Sequence, residues 1–505
     1  MVHKSCVLAS LLVALMATSA VSARAFNNHS NKNMLKQRAQ HTNAALEYTT
    51  WHHHLNPIQP DTIRTNLHFA PFFQQSQNGI DLGRYFGIGN GKNSFRVGLK
   101  NAYPGGPAAV AGDEIDAPLI IHDHLGAGGG AAAYRVAADI SFKPELQQYG
   151  ARIDLFQDVD TPCKGMFFRA GTTALQVESK MRMQIANEVT ENNNVNLTLG
   201  QFFAGQGNDA QATGPKNQVG LSKARIPAGH RSKAGFADLD LSLGYKCVHT
   251  QRSHVFVSLD VTVPTGNRVR GDYVFEAVIG NGHHFGLGAT VDGGVEVWKN
   301  DVGTLRFEAV AHYKYLFENN EQRTLSLVDR TNASKYFLVG KLGAPQQTPL
   351  LPLANISTVP LAVKPGHQLD MLAALSFNSG KFTIDVGYNP FWRDAESVHL
   401  NSFGAESTYG LIKANYNVPA GARLTTTVGN NAQDPSLIIT RDTLDLDGVI
   451  TPALFTHKLF AGAGYTCNFY GKNMLSMGIG ASYEIATSNA DIEQYALWGK
   501  LGISF

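Results

Sequence analysis

The fold class expected of this chain is an all-β, transmembrane antiparallel β-barrel. Three observations lead there: a long hairpin with two unlike faces, an amino-terminal leader with no later apolar run of helix length, and a composition poor in charge and rich in glycine.

The hairpin runs from His284 to Phe317. In its first arm Phe285, Leu287, Ala289, Val291, Val295 and Val297 share one parity, and His284, Thr290, Asp292 and Glu296 share the other. After the turn at Lys299 to Gly303, Leu305, Phe307, Ala309, Ala311, Tyr313, Tyr315 and Phe317 carry the apolar side on. Arg306, Glu308, Val310, His312 and Lys314 oppose them. Alternation of period two marks a strand whose faces meet different surroundings. Each arm is about twice the usual strand length. A face carrying both signs of charge cannot meet hydrocarbon, so lipid lies on the apolar side and water or packed polar groups on the other.

Met1 to Ala25 has the form of a secretory leader: Lys4, an apolar stretch from Val7 to Ala17, and Val21-Ser22-Ala23 or Ala23-Arg24-Ala25 as a cleavage site. The apolar stretch is shorter than the roughly 20 residues a spanning helix needs. An exported chain without such a helix crosses a membrane as strands or not at all. Charged residues are 16%, against the usual ~25%. Glycine is 50 of 505 residues. A net charge of +2 implies no nucleic-acid partner. Cys163, Cys247 and Cys467 make neither a disulfide framework nor a metal spacing.

In chain order, residues 26–78 are polar and rich in Asn, His and Gln, and are expected to form a periplasmic tail or a plug, with the barrel occupying 79–505. His52-His53-His54 point to alternate faces of an extended chain and rarely share a metal; His122-Asp123-His124 lacks a third ligand. No metal or cofactor is expected. Strands are expected near Phe95 to Leu99, Tyr134 to Phe142, Arg152 to Leu155, Gly165 to Glu178, Lys180 to Asn187 and Asn193 to Phe203. Clearer pairs follow at Leu239 to Val263, Leu369 to Tyr388 and Phe455 to Ile485, and a last strand runs from Gln494 to Phe505. The count is about fourteen to sixteen strands, even because both termini should share a rim. Turns within hairpins are short and the connections between them long, the periplasmic and extracellular pattern of such barrels. Aromatic girdles are expected, with Tyr245, Phe377, Phe382, Phe469 and Phe505 at the turn rim and Phe285, Tyr315, Phe317, Tyr388, Tyr483 and Tyr495 at the loop rim.

The last strand, with Tyr495, Leu497, Leu501, Ile503 and Phe505 on one parity, resembles the assembly signal of Gram-negative outer-membrane β-barrel proteins. The resemblance implies an outer-membrane location, lipid contact and recognition by the barrel-assembly machinery. Val263-Pro264-Thr265-Gly266-Asn267 is faintly similar to channels for hydrophobic compounds. The function expected is a porin-like channel for passive diffusion of small solutes or ions. A plugged uptake channel for hydrophobic compounds, an adhesin or structural barrel, and a barrel hydrolase are the alternatives.

The lumen face is expected to present Arg135, Asp139, Arg152, Asp154, Asp238, Asp240, Asp260, Asp292, Glu296, Arg306, Glu308, His312, Lys314, Asp385 and Glu484. Such groups set ion preference or pair to fill the bore. Asp238, Asp240 and Asp260 form the preferred cation-attracting patch. With Val297 opposite Leu305, Glu296 would face Arg306 across the hairpin. For catalysis, His312 with Glu308 or Asp292, and His283 and His284, are the candidate bases; no serine stands in a nucleophile motif, and no enzyme activity is expected.

Overall fold

The computed structural model describes residues 32–52, 64–86, 92–98, 114–116, 136–159, 163–190, 197–207, 218–328, 330, 332–344, 348–411, 438–468, 473–488 and 491–505. Twelve antiparallel strands close a ring. They are β1 (Thr65–Ser76), β2 (Glu145–Val159), β3 (Met166–Lys180), β4 (Leu239–His249), β5 (Ser253–Val263) and β6 (Gly286–Lys299). Then come β7 (Thr304–Leu316), β8 (Gly366–Ser379), β9 (Phe382–Arg393), β10 (Leu454–Asn468), β11 (Met474–Ala486) and β12 (Gln494–Ser504). The first strand pairs with the last, Asn66 opposite Ser504 and Phe69 opposite Leu501, and no edge is left in the ring.

The alternation is the reason the strands close this way. Leu243, Val257, Leu259, Leu287, Val291, Ile384, Val386, Ile479, Leu497 and Leu501 are exposed on the outer face. Asn66, His68, Asp154, Thr173, Ser258, Asp260, Asp292, Glu308, Asp370, Asp385 and Lys500 are buried on the inner one. Tyr245, Phe382 and Phe505 stand exposed at the turn rim, and Phe285, Phe317 and Tyr483 at the loop rim. Phe469 lies outside the described residues. On β12, Leu497 and Leu501 are exposed, as is Phe505 just past it, while Trp498, Lys500 and Ser504 are buried.

The ring has fewer strands than the fourteen to sixteen expected, and the difference has physical causes. The stretches at Ser94–Gly98, Val136–Ser141 and Gln184–Thr190 alternate, but they pair with one another and with Glu114–Asp116 in a separate sheet within the loop-rim connections. Asp139, expected in the lumen, belongs to that sheet and accepts a hydrogen bond from Asn187 at 2.8 Å; Arg135 lies outside the described residues. The stretch expected as a strand at Asn193 to Phe203 contains a helix, Leu199–Ala204, opened by a capping box between Thr198 and Gln201. In the other direction, Thr65–Ser76 falls within the segment 26–78 expected to lie outside the barrel, yet it is β1; Pro71 and the polar run after Phe73 obscure its alternation.

Short turns join strands at one rim, and the long connections at the other rim pack into a cap. Asn319–Thr324, Thr358–Lys364 and Ser397–His399 form a three-stranded sheet there. Arg231–Phe236 prolongs the wall by pairing with the loop-rim half of β3.

Two prolines interrupt the ladder of the wall. Pro71 is paired with Ala151 on β2, while toward β12 the register passes from Phe69–Leu501 to Phe72–Trp498. Pro390 is paired with His457, and toward β8 the register passes from Asp370–Phe391 to Ala373–Tyr388. A proline has no N–H to give, so each points its empty side at the gap. Beside Pro390 the side-chain amide of Asn389 donates to the Met371 carbonyl and to Asp370, replacing the lost ladder bond.

Candidate functional site

The bore is occupied by a strap formed from the chain's own residues 32–52. The strap has backbone donors and acceptors that regular structure does not use, and the wall supplies partners for them. Its one helix, α1 (Ala44–Tyr48), is capped by Asn43, whose side chain accepts from the Leu46 N–H. The Ala44 N–H donates to Asp370 at 3.1 Å and the Thr50 N–H to Asp385 at 2.6 Å. Lys500 of β12 donates to the carbonyls of Glu47 and Thr49, and Arg152 of β2 to that of His41.

Side chains pair in the same way. Arg38 lies 2.6 Å from Asp370 and 3.0 Å from Glu484. Arg152 bridges Glu47 at 2.8 Å and Asp154 at 2.7 Å. Arg169 donates to the Tyr48 hydroxyl and pairs with Asp292 at 3.1 Å. Charges withdrawn from water need such partners. The inner wall also leaves room. A Cβ on Gly462 would stand 2.3 Å from Thr49 Cγ2, and one on Gly464 would stand 2.9 Å from Thr50 Cγ2. These glycines of β10 are the groove in which the strap lies. A cavity of about 60 Å³ remains between strap and wall, lined among others by His41, Glu47, Arg169, Asp260, Thr290 and His312. It suits water and not a solute.

The strap runs the length of the bore. At the loop rim, Asn33 accepts from Lys335, donates to Ser326 at 2.8 Å, and bonds through its N–H to the Gly448 carbonyl at 2.7 Å. Lys36 stands 3.1 Å from Glu321 and 3.4 Å from Glu396, and Arg323 joins the same two carboxylates at 2.6 and 2.7 Å. Burial alone would push these carboxyls up. The Arg323 guanidinium and the Lys36 ammonium outweigh it, holding Glu321 well below the usual range and Glu396 at about 2. Near the turn rim, Trp51 packs on His68 of β1 at 4.6 Å between ring centroids, and His52 stands 3.9 Å from Glu308.

No family model matches the chain, and no curated protein matches it. Among solved structures, an outer membrane channel from Pseudomonas putida F1 aligns at 8% identity, covering 89% of this chain and 98% of that one, with a TM-score of 0.36. The Pseudomonas putida toluene transporter TodX aligns at 10% identity over 95% and 97%, with a TM-score of 0.33. A Pseudomonas aeruginosa FadL homologue aligns at 9% identity over 94% and 99%, with a TM-score of 0.26. Likenesses at this level carry no argument about this chain, whose closed ring rests on its own strand pairing.

Most of the expected lumen residues do face the bore, but in pairs. Asp240 is held by Lys314 at 2.9 Å and by Thr262, and His41 of the strap stands 3.7 Å away. Asp260 accepts from Ser258 at 2.8 Å and from Thr290. Asp238 precedes β4 and accepts from the N–H groups of Gly266 and Asn281 in the cap, so it organises a loop. Glu296 is opposite Arg306 in register, but a bulge places Trp298, not Val297, opposite Leu305. Arg306 pairs with Glu308 at 2.8 Å, and Glu296 stands 3.9 Å from Arg252. The His312 ring bonds to Thr290 at 2.7 Å, and His284 is bonded to the Phe317 carbonyl and Glu321, both at 2.7 Å. His283 bonds to the Gly266 carbonyl at 3.3 Å.

Sequence reasoning missed the strap's Lys36, Arg38, His41 and Glu47, and Arg169, Lys458 and Lys500 on the wall. One signal was present: Lys32, Lys36 and Arg38 fall in a stretch without acids, in a chain whose expected lumen is rich in them.

Proposed function

We propose that this chain is an outer-membrane channel for small polar solutes, closed at rest by residues 32–52. The observation that carries the reading is the seating of the strap in the bore, with its backbone bonded to the wall at Asp370, Asp385, Arg152 and Lys500. A lining of paired charges favours polar solutes over hydrophobic ones, because an apolar solute would desolvate those charges without replacing their hydration. Removing the strap would take Arg38 away from Asp370 and Glu484, leaving Asp370 without its cation and Glu484 with Lys458 alone, so the open bore would prefer cations. A cleaved leader and a β12 read by the barrel-assembly machinery belong to the same proposal.

Single-channel recording in planar bilayers tests it. The full mature chain should be nearly silent, and a chain lacking residues 32–52 should give stable steps with cation preference under a salt gradient. Steps of the same size from both chains would end the reading of the strap as the closure.

A further inference from the structure

The two ends of the strap are held differently, and, on the reading of the strap as the closure, the difference shows how the bore would open. The strap's His52 and the Arg64 that precedes β1 both stand at the turn rim, so chain connectivity lets the strap leave the bore on that side while remaining attached. Its other end must first come free of the cap.

That end is held by a buried ion cluster. The Tyr85 hydroxyl donates to the Met34 carbonyl at 2.6 Å, and Arg393 donates to the Lys36 carbonyl at 2.5 Å. The side chains of Lys36, Glu321, Arg323 and Glu396 are all at most 8% exposed. Glu321 is closed on its remaining side by His284. Toward the turn end, by contrast, the strap is held through its backbone, by Asp385 at the Thr50 N–H and by Lys500 at the Thr49 carbonyl. A strap tethered at the turn rim and gripped at the loop rim cannot withdraw until that grip breaks.

We propose that the buried ion cluster of Lys36, Glu321, Arg323 and Glu396 at the loop rim is the latch of the channel, and that the strap withdraws through the turn rim when Lys36 lets go. Opening is then governed from the cap, by whatever draws its connections apart. Without Lys36 the latch loses its only member supplied by the strap among the described residues, while Arg323 still compensates both carboxylates and keeps the cap together. The grip is therefore separable from the fold of the cap.

The test uses the full mature chain in bilayers. Lys36→Met should raise the open fraction by about tenfold or more, as expected when one member of a buried ion pair is removed, while Lys36→Arg should stay closed. Labelling supplies a second readout. Cys163, Cys247 and Cys467 all lie at the turn rim. Lys32 sits beside Asp447 in the cap. A membrane-impermeant maleimide applied to intact cells should therefore label Lys32→Cys and spare the three native thiols. Adding Lys36→Met should abolish that labelling as the strap retreats. If the Lys36→Met chain does not fold, Glu396→Gln carries the same test, since it takes away one of the two carboxylates that Lys36 meets. If deletion of residues 32–52 conducts while the folded latch variant stays as silent as the parent, the latch is refuted and the strap remains the closure. If the deletion is silent too, the closure itself is refuted.

Discussion

The wall and the strap keep polar groups away from lipid by opposite means. The wall uses repetition: every second residue points inward, and the ladder satisfies the backbone strand by strand. The strap has almost no ladder and depends on individual side chains from β2, β8, β9, β11 and β12. A repeating solution tolerates change at many positions, whereas an individual one fails at particular residues. Substitutions should separate the two.

The largest effect is expected at Arg152, which serves the strap through Glu47 and the His41 carbonyl and the wall through Asp154. Arg152→Met should cost about 3–5 kcal/mol, because it leaves buried carboxylates unpaired; the midpoint of the heat-modifiable gel shift measures it. An unchanged midpoint would mean that the strap does not depend on single side chains. Next is Leu259, 72% exposed on the outer face near the middle of β5. Leu259→Arg should cost about 2–4 kcal/mol if that face meets hydrocarbon at mid-depth, and a neutral result in bilayers would move β5 out of the membrane. Gly462→Val, driven against Thr49, should cost about 1–3 kcal/mol and loosen the strap. Gly293→Ala, whose Cβ would find its nearest neighbour at 3.5 Å, should be nearly silent. Equal effects at the two glycines would erase the groove.

Smaller effects concern pH at the cap. Glu396 is held at about 2, below the ~4.3 of an unfolded Glu. Its contribution is present above that unfolded value and lost as the pH falls toward about 2, so the cap should survive pH 5 and weaken below pH 4. Lys335 runs the other way: burial lowers its amine to about 7, against ~10.4 unfolded. The unfolded chain binds the extra proton between those values, so stability should rise with pH across that window. Lys335→Met should flatten the rise in thermal melts between pH 7 and 10.

The same contrast explains what could be read from residues alone. The hairpin β6–β7 was legible because lipid and lumen impose opposite demands on neighbouring positions. Alternation could not tell a spanning strand from a cap strand, and only length separates them: Ser94–Gly98, Val136–Ser141 and Gln184–Thr190 have 5, 6 and 7 residues, against 11 to 15 in the wall. The helix at Leu199 was announced by Thr198 and Gln201, a signal that outweighs the apolar run around it. The charges of the site were mostly placed on the correct face, since parity decides that. Their partners were not, because Lys36 to Glu321 and Arg38 to Glu484 join distant parts of the chain that no local pattern relates.

The seam between β1 and β12 also has a meaning in time. Asn66 opposite Ser504 is a contact between the two ends of the chain, the kind of non-local pairing that is slowest to form. Lys500, on the last strand to be synthesised, bonds to the strap, which is among the first stretches to be synthesised. By bonding to β2 and β12, which flank β1 on either side, the strap ties together the strands on both sides of the seam, so docking it first would shorten the search for ring closure. A barrel deprived of it should close more slowly, even where the finished wall is equally stable.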